Sequence, residues 1–445
     1  MLERGDIQGL VLSGYATSPR SRFFLLRFPG EGARPWLGRI LPRITTGTRR
    51  EHHATERVNV GFSATGLRAL GLPEEALATF PREFVQGMAD LERSLVLGDV
   101  GEHAPGRWEF GGNDAARVDA VLLAYAATDG ELDELSAELE EDFERFGLDA
   151  REEDAYLPED QHEHFGFRDG ISNVRLGGGL RLRERLRPGH RLEPRVPTGE
   201  FVLGHLNAYG RFPDSPSAPI RQGTRRMPRI IDARRRMDLG ENGTFLVLRK
   251  LAQDVGGFWR FAAARGNELY PGDPTAPERF ASLMVGRTLD GTPLPRETCP
   301  LGAHVRRANP RDALGDDPRE SLKAVRAHRL IRRGRSYGPP LAKGEPDDQQ
   351  ARGLLFLALC ANIRRQFEFV QETWLNNPKL FGLTHERDPL VGSGPLLESA
   401  DGRETFSVPA GSVRRRCSVE RFVTVRGGAY LFMPGMRGLS YLAEP

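Results

Sequence analysis

Cysteine is scarce in this chain, which has only 3 cysteines among 445 residues. Cys299, Cys360 and Cys417 are odd in number and unrelated in spacing, so they can form neither a disulfide framework nor a CxxC metal motif. A few free thiols are typical of a protein that stays in a reducing compartment. We therefore expect a cytoplasmic protein.

Long hydrophobic runs are also lacking. The longest apolar run, Leu354–Ala361, is far shorter than the roughly 20 residues that span a bilayer. The first residues, MLERGDIQGLVLSGY, show no basic segment followed by an apolar core, so we expect no export signal. These features predict a protein without a membrane partner.

Neither sign of charge is in excess, since 63 basic residues stand against 61 acidic ones and the formal net charge is +2. A basic surface for nucleic acid or anionic lipid is therefore not indicated. Hydrophobic residues make up 39% of the chain and charged residues 28%. This composition predicts a folded globular protein rather than a disordered one.

The chain does contain a mixture of strand and helix patterns in both halves. The clearest helix pattern spaces its apolar residues by 3, 4, 4 and 3 with acidic residues between them. Those residues are Leu132, Leu135, Leu139, Phe143 and Phe146. Strand patterns occur at 9–12, 23–28, 58–62, 120–127, 244–248 and 354–359, with a hairpin or bulged strand at 423–432. Because no regular βαβ alternation is present, an α+β fold with antiparallel sheets and helices on one face is favoured.

A glycine-rich turn, HFGFRDGISN at residues 164–173, carries the first candidate functional residue. Asp169 lies between Gly166 and Gly170, and glycine allows backbone conformations that are closed to other residues. A carboxylate fixed on such a turn is a candidate proton shuttle, because general acid–base catalysis needs an acid at hydrogen-bond distance from the reacting atom. The same pattern is also typical of a tight turn whose aspartate binds its own backbone.

One histidine differs in its surroundings from the others. His304 lies in CPLGAHVRRANPR, residues 299–311, among small residues that leave room for a bulky partner. Haem suits this setting, since one imidazole nitrogen can bind iron while nearby cations bind the propionates. The cations in question are Arg306, Arg307 and Arg311. A histidine in a basic surface turn is the alternative interpretation.

A third segment, RLIRRGRSYGPP at residues 329–340, adds arginines to a turn with apolar flanks. An arginine that faces a bound peroxide stabilises the negative charge that develops as the O–O bond breaks. Arginine suits this role because it stays cationic at any working pH. A solvated basic loop is again the alternative.

Together the three segments resemble those of the dye-decolorizing peroxidases, a family of haem enzymes unrelated in fold to the plant-type peroxidases. The resemblance rests on GFRDG (Gly166–Gly170), CPLGAHVRRANPR (Cys299–Arg311) and RRGRSYGP (Arg332–Pro339). Supporting stretches are DIQGLVLSGY near the start, NGTFLVLRKLAQDVGGFWRF at 242–261 and FVTVRGGAYLFMPG at 422–435. The resemblance therefore runs nearly from end to end of the chain.

The resemblance implies a role for each candidate residue. Asp169 would move a proton between the two peroxide oxygens on the distal haem face, Arg332 would orient peroxide there, and His304 would be the proximal iron ligand. It implies one haem b per chain. Further contacts with the haem are expected from Gly170, Ile171, Ser172, Arg306, Arg311, Leu355, Phe356 and Leu357.

The resemblance also implies a fold of two ferredoxin-like halves, each an antiparallel β-sheet with flanking helices. The haem would lie mainly in the C-terminal half. We expect residues 1–180 to form the N-terminal half, which carries the Asp169 turn at its end, and residues 181–445 to form the haem-binding half. The oligomeric state is left open, and a homo-oligomer is compatible with the sequence.

Two details stay open at this point. The apolar strand 354–359 has two faces, and one of them would cover the distal haem. Leu355 and Leu357 lie on one face, and Leu354 and Phe356 lie on the other. Ordinary core packing explains either pair equally well. Bulky dyes do not fit beside a buried haem, so surface aromatics would relay electrons from them. Tyr337 and Trp374 are the candidates for that relay.

A third open detail concerns the group behind His304. In many relatives an acid that follows the apolar strand accepts the outer N–H of the proximal histidine, which makes the iron electron-rich. Asn362 occupies that point here. Either the amide gives the iron a weaker donor, or an acid from elsewhere in the chain takes its place.

The sequence thus predicts a haem peroxidase of the EC 1.11.1 class. It would use hydrogen peroxide to oxidise phenolic, aromatic-amine or dye-type reductants in one-electron steps. A haem-binding or haem-handling protein with little turnover is the alternative, which Asn362 keeps open. The ordinary pKa of an aspartate is roughly 3.9. Because Arg332 would lower the pKa of Asp169 and burial would raise it, we expect an acid optimum.

Overall fold

Strands and helices are mixed along the whole chain, as the sequence predicts. The computed structural model describes residues 2–48, 56–172, 174, 176–177, 195–220, 236–394, 404–410 and 413–444. The main sheet is antiparallel and helices pack against it, which makes this an α+β fold.

The regular elements are numbered in chain order within the described residues. The α-helices are α1 Gly9–Leu12, α2 Ala33–Ile40, α3 Ala64–Ala69, α4 Glu74–Leu77, α5 Arg82–Gln86, α6 Leu91–Leu97, α7 Asp129–Phe146, α8 Val255–Leu269, α9 Ala276–Val285, α10 His304–Ala308, α11 Pro318–Arg326 and α12 Met436–Ala443. The strands are β1 Arg20–Arg27, β2 Arg57–Phe62, β3 Ala120–Ala126, β4 Asp149–Tyr156, β5 Leu176–Gly177, β6 Val196–Pro197, β7 Ser217–Pro219, β8 Arg236–Asp238, β9 Thr244–Gln253, β10 Ile331–Arg332, β11 Arg335–Tyr337, β12 Gly353–Cys360, β13 Thr405–Ala410, β14 Val413–Ser418 and β15 Val423–Met433. A π-helical segment covers Arg364–Glu368 and Val370–Leu375.

The first half of the chain forms a four-stranded sheet in the order β4-β1-β3-β2. All of its neighbouring strands are antiparallel. Helix α2 lies between β1 and β2 in the chain, and α7 lies between β3 and β4. This order of elements and of strands is the ferredoxin-like arrangement.

The second half repeats that arrangement with the sheet order β11-β12-β9-β15, again antiparallel throughout. Helices α8 and α9 follow β9, and the π-helical segment follows β12. These strands correspond in chain order to β2, β3, β1 and β4 of the first half, so the predicted pair of ferredoxin-like halves is confirmed. The predicted boundary between residues 180 and 181 lies outside the described residues and stays a prediction.

The two sheets join into a closed ring of eight strands within the described part of the chain. Strand β4 meets β11 through the pair Tyr156–Ser336, and β2 meets β15 through Phe62–Phe432. One face of the strands shares a buried cluster with helices α2 and α7, so the other face points into the ring. Inward side chains include Phe23, Leu25, Leu123, Tyr125, Leu248, Leu355, Leu357 and Leu431.

Helix α7 shows why the local pattern was readable from the sequence. The Thr128 hydroxyl accepts the N–H of Glu131, and the Glu131 carboxylate accepts the N–H of Thr128, which is a complete capping box. Gly147 ends the helix with a φ of 64°. The apolar stripe that faces the core is Leu132, Leu135, Leu139 and Phe143.

Some local predictions are wrong or incomplete. Residues Gly9–Leu12 form a short helix instead of a strand, because four apolar residues carry too little periodicity to separate the two. The region 376–416 is rich in proline, glycine and charge, which predicts a surface loop, but it contains the hairpin of β13 and β14. The inner face of this hairpin includes the buried Phe406 and Val408. Strand β15 is bulged between Val425 and Gly427 rather than folded into a hairpin.

No helix among the described residues combines the length and the apolar character that a membrane crossing requires. The longest helix, α7, has 18 residues but carries many acidic side chains. The cytoplasmic location stays a prediction.

Candidate active site

The turn that carries Asp169 depends on two glycines. Gly166 and Gly170 have φ angles of 87° and 76°, in the region that favours glycine. The N–H of Asp169 donates to the carbonyl of Gln161 at 2.8 Å, which closes the turn. The Asp169 carboxylate is left at the surface of this turn, where 57% of the side chain is exposed.

A second acid, Glu163, stabilises this turn through hydrogen bonds. Its carboxylate accepts the N–H groups of Phe165 and Phe167 at 3.0 and 3.1 Å and the side-chain amide of Gln253 at 2.8 Å. Phe165 stacks on Phe258 of α8 with ring centroids 4.4 Å apart. The turn is therefore anchored on α8. No sequence pattern marks Glu163, since its role comes only from these contacts.

Arg332 reaches Asp169 from strand β10, and its Nη2 lies 3.2 Å from Oδ1 of the carboxylate. The two side chains are 41% and 57% exposed, so their ion pair adds little to the stability of the fold. Its main effect is on charge. The Arg332 guanidinium holds the pKa of Asp169 below its ordinary value.

His304 is the first residue of α10, and its Nδ1 lies 2.9 Å from Oδ2 of Asp388. The Asp388 side chain is fully buried, whereas 27% of the imidazole is exposed. A carboxylate in this place makes Nδ1 the donor and leaves Nε2 with a lone pair. Burial acts to lower the pKa of His304, but the charge and hydrogen bond of Asp388 outweigh it and raise that pKa.

Asp388, and not Asn362, accepts the outer N–H of His304. Its Oδ1 accepts the N–H groups of Leu390 and Val391, both at 2.9 Å, which fixes the carboxylate and points Oδ2 at the imidazole. Asn362 instead accepts the N–H of Arg365 at the start of the π-helical segment, at 2.8 Å. An acid from elsewhere in the chain thus takes the place behind the histidine.

The acid–arginine pair and the histidine–acid pair act on each other through space. His304 is among the groups that lower the pKa of Asp169, and Arg332 acts to lower the pKa of His304. Glu163 acts on His304 in the opposite direction. The two pairs therefore lie within electrostatic reach of each other.

The pairing of β10 with β12 decides which face of β12 belongs to this site. Arg332 lies directly opposite Ala358, so it shares a face with Ala358 and, two and four residues earlier, with Phe356 and Leu354. Leu354 and Phe356 are only partly buried. Of the predicted contacts, Phe356 lies on the face of Arg332.

Leu355 and Leu357 were also predicted to contact the haem, and the structure does not bring them to the site. They are 1% and 0% exposed and point into the ring of strands. The reason is strand alternation, which sends their side chains to the face opposite that of Arg332.

The predicted arginine contacts have different surroundings. Arg306 is partly buried and donates to the carbonyl of Cys299 at 2.8 Å. Arg311 is exposed, with a φ of 54°. Arg307 is fully buried and donates to backbone carbonyls, so it is not available to a ligand carboxylate and that prediction is wrong.

The residues after Asp169 face the turn 287–291. Ile171 is 38% exposed and packs closely against Gly291. Ser172 accepts hydrogen bonds from Arg287 at its hydroxyl, at 3.2 Å, and from Arg329 at its carbonyl, at 3.3 Å. The contacts of Gly170, Ile171 and Ser172 with a cofactor stay predictions.

The two aromatic residues predicted as surface relays are buried. Tyr337 is 7% exposed and belongs to the cluster inside the ring of strands. Trp374 is 3% exposed and packs against His328 and Phe369. Neither ring is therefore placed to meet a bulky dye at the protein surface.

Comparison with known proteins finds relatives that match most of this chain. A dye-decolorizing peroxidase of Mycetinis scorodonius is 29% identical over 98% of this chain and 86% of its own length. A multifunctional dye peroxidase of Amycolatopsis sp. is 28% identical over 87% of this chain and 82% of its own length. The chain is similar over nearly its whole length to dye-decolorizing peroxidases.

The fold agrees with this family. The crystal structure of a decolorizing peroxidase from Auricularia auricula-judae superposes with a TM-score of 0.78 over 100% of both chains, at 22% identity. No protein-family model matches the sequence. The resemblance to the dye-decolorizing peroxidases that the three short motifs predict therefore extends over nearly the whole chain.

The donor set fits the haem that the dye-decolorizing peroxidase resemblance implies. The Nε2 of His304 has no hydrogen-bond partner among the described residues, while Asp388 holds the other nitrogen. The described residues contain no group of three His, Cys, Asp or Glu side chains that could hold a metal ion by themselves. A single imidazole suits iron whose remaining ligands come from a macrocycle.

Replacement of Asp388 by asparagine tests the role of the histidine–acid pair. Oδ1 of the amide would stay with the N–H groups of Leu390 and Val391, so its NH2 group would face Nδ1 of His304. Nδ1 would then become the acceptor, and the proton would move to Nε2. We expect a loss of activity of about 10- to 100-fold, measured as steady-state oxidation of a phenol by peroxide.

Asp119→Asn is the matched control for this variant. Asp119 is also buried, and it accepts the N–H of Phe28 in the first half of the chain. We expect this control to lose thermal stability but to keep its activity per bound haem. Equal losses of activity in the two variants would contradict a specific role for Asp388.

Proposed function

We propose that this protein is a haem-dependent peroxidase that uses hydrogen peroxide to oxidise phenolic, aromatic-amine or dye-type reductants in one-electron steps. One haem b per chain would be bound by Nε2 of His304. The proposal is carried by two contacts, Arg332 with Asp169 at 3.2 Å and Asp388 with Nδ1 of His304 at 2.9 Å. The two pairs lie within electrostatic reach of each other.

When bound, the haem would supply the redox chemistry: peroxide would oxidise it by taking the two electrons that cleavage of the O–O bond requires, and the reductant would then reduce it again. The residues of this chain would do the rest. Asp169 would take a proton from one oxygen of the peroxide and deliver it to the other, which leaves as water when the O–O bond breaks. Arg332 stabilises the negative charge that develops on the departing oxygen.

His304 and Asp388 would act on the opposite side of the cofactor. The hydrogen bond at Nδ1 fixes the orientation of the imidazole and increases the electron density at Nε2. Leu354 and Phe356, which share the face of Arg332 and are partly buried, would keep water away from the charged pair. Arg306 and Arg311 are the candidates for binding propionates.

The choice of reductant follows from the family. A solved dye-decolorizing peroxidase of 24% identity was determined in complex with 2,6-dimethoxyphenol. This phenol is therefore a suitable probe for the present chain, and its small size avoids the question of how a bulky dye would reach the site.

The test is reconstitution of the purified chain with haemin, followed by one equivalent of hydrogen peroxide. We expect a haem absorption band that peroxide changes rapidly, and that 2,6-dimethoxyphenol restores with oxidation of the phenol. Slow bleaching of the band without oxidation of the phenol would indicate the alternative function, haem binding with little turnover. A chain that stays colourless with haemin would contradict both functions.

The pH dependence of the reaction should follow Asp169. Its pKa is lowered, so the carboxylate that must accept a proton persists into more acid solution than a free aspartate would. The return of that proton is favoured as the pH falls toward this pKa. We therefore expect oxidation to be fastest in acid, measured as a pH–rate profile of peroxide consumption.

Arg332→Leu should move that profile. Without the guanidinium the pKa of Asp169 rises, so the carboxylate is lost at a higher pH and the acid limb shifts upward. Arg332→Lys keeps a cation and should shift the limb less. A profile that is flat, or that rises through alkaline pH, would count against Asp169 as the proton shuttle.

A further inference from the structure

Arg307 lies three residues after His304 in α10 and is fully buried. Residues at positions i and i+3 share one face of a helix. The guanidinium donates to the carbonyls of Trp374, Asn377 and Glu386 at 2.9, 3.0 and 2.6 Å. A buried cation is costly unless such bonds compensate for lost hydration, so these bonds keep Arg307 in place.

The three carbonyls belong to the two segments that hold Asp388. Trp374 lies in the last turn of the π-helical segment, and Asn377 follows two residues after that segment ends. The last residue of the segment, Leu375, accepts the N–H of Asp388 at its carbonyl, at 2.8 Å. Glu386 lies two residues before Asp388 in the chain. Arg307 therefore connects the helix that carries the imidazole to both supports of the carboxylate.

The charge of Arg307 also acts on this arrangement. Burial lowers the pKa of Arg307, whereas the carboxylates of Asp388 and Glu386 act to raise it, so the cation lies within electrostatic reach of both. Helix α10 has only five residues, too few to be stable without such tertiary contacts. The placement of the imidazole thus depends on what holds this short helix.

We infer that Arg307 is a positioning residue that keeps the Asp388 carboxylate at hydrogen-bond distance from Nδ1 of His304. It touches neither substrate nor cofactor and acts only through this pair. Its consequence for iron rests on the proposed function, but the hydrogen bond itself exists in the protein without haem.

Arg307→Lys tests this inference, because one ammonium group cannot replace the planar fork that serves three carbonyls. Arg335→Lys is the matched control. Arg335 is 2% exposed and likewise donates to three carbonyls, those of Gly14, Tyr15 and Ser18, but it does not bind the segments around Asp388. Both variants are expected to lose thermal stability.

The first readout uses the full chain without haem. In protein labelled with ¹⁵N-histidine, the N–H of the His304 ring should give a slowly exchanging NMR signal that is missing from His304→Ala. We expect this signal in the wild type and in Arg335→Lys, and its loss in Arg307→Lys. Retention of the signal in Arg307→Lys would overturn the inference. If Arg307→Lys does not fold, Arg307→Gln, which keeps a planar N–H donor, takes its place.

The second readout uses the haem-loaded protein. Resonance Raman spectra of the ferrous form report the stretching of a bond between iron and histidine, and we expect its frequency to fall in Arg307→Lys but not in Arg335→Lys. An unchanged frequency in Arg307→Lys would again overturn the inference. A wild type without any iron–histidine band would contradict the proposed function instead, while the NMR result would still decide the role of Arg307.

Discussion

Asp169→Asn should abolish the fast reaction with peroxide while the protein still binds haem. Asparagine has nearly the shape of aspartate but cannot accept a proton, so the O–O bond would have to break without a proton shuttle. We expect the second-order rate constant for peroxide to fall by about 10²- to 10⁴-fold, the usual contribution of general acid–base catalysis. Stopped-flow absorbance of the haem band measures this rate directly.

Asp160→Asn is the control for this loss. Asp160 lies on the same stretch of chain, and its side chain is 70% exposed. Its carboxylate accepts the backbone N–H of His162 and lies 3.2 Å from Nδ1 of the same histidine. We expect Asp160→Asn to react with peroxide at the wild-type rate. If Asp169→Asn also kept that rate, the carboxylate would not be the shuttle.

Arg332 should be nearly as important for the same step. Arg332→Leu removes a cation from the place where negative charge develops, which costs about 10²- to 10³-fold in other sites of this kind. Because Asp169 and Arg332 act as a unit, the double variant should lose much less than the product of the two single losses. Fully multiplicative losses would indicate that the two side chains act in separate steps.

His304→Gly should lose the bound cofactor altogether, which is the second large effect. Among the described residues, the imidazole is the candidate iron ligand that the sequence and the donor set both indicate. Its removal leaves a space of the size of imidazole beside Asp388. We expect no histidine-type haem spectrum after incubation with haemin. Added imidazole should restore that spectrum, because it can occupy the space and donate to the same carboxylate.

Imidazole rescue separates loss of a ligand from loss of the fold. A variant that had simply unfolded would not recover with imidazole, and its circular dichroism would differ from that of the wild type. Full haem binding by His304→Gly without imidazole would show that another residue is the ligand. That result would also contradict the proposed effects of Asp388 and Arg307 on the iron.

Several features were predictable because they depend on local pattern. Short stretches of sequence are enough to predict three of them: the apolar spacing and capping residues of α7, the buried strand β3, and the glycines around Asp169. The motifs around Asp169, His304 and Arg332 also indicated the family, although each motif alone allowed a simpler interpretation.

Other features required the three-dimensional structure. Asp388 is 84 residues from His304, in a region that is rich in turns and charge, and no pattern marks it as a partner. The choice between the two faces of β12 depended on the pairing of Arg332 with Ala358, which strand alternation alone leaves undecided. The sequence does not distinguish Arg307 from its neighbour Arg306. In the structure Arg307 differs because it is fully buried and donates to three backbone carbonyls.

The most direct measurement of the central claim is a crystal structure of the chain loaded with haem. We expect iron bonded to Nε2 of His304, Asp388 still at Nδ1, and the side chains of Asp169 and Arg332 over the opposite face of the porphyrin. Iron bound by another residue, or Asp169 and Arg332 on the same face as His304, would contradict the account.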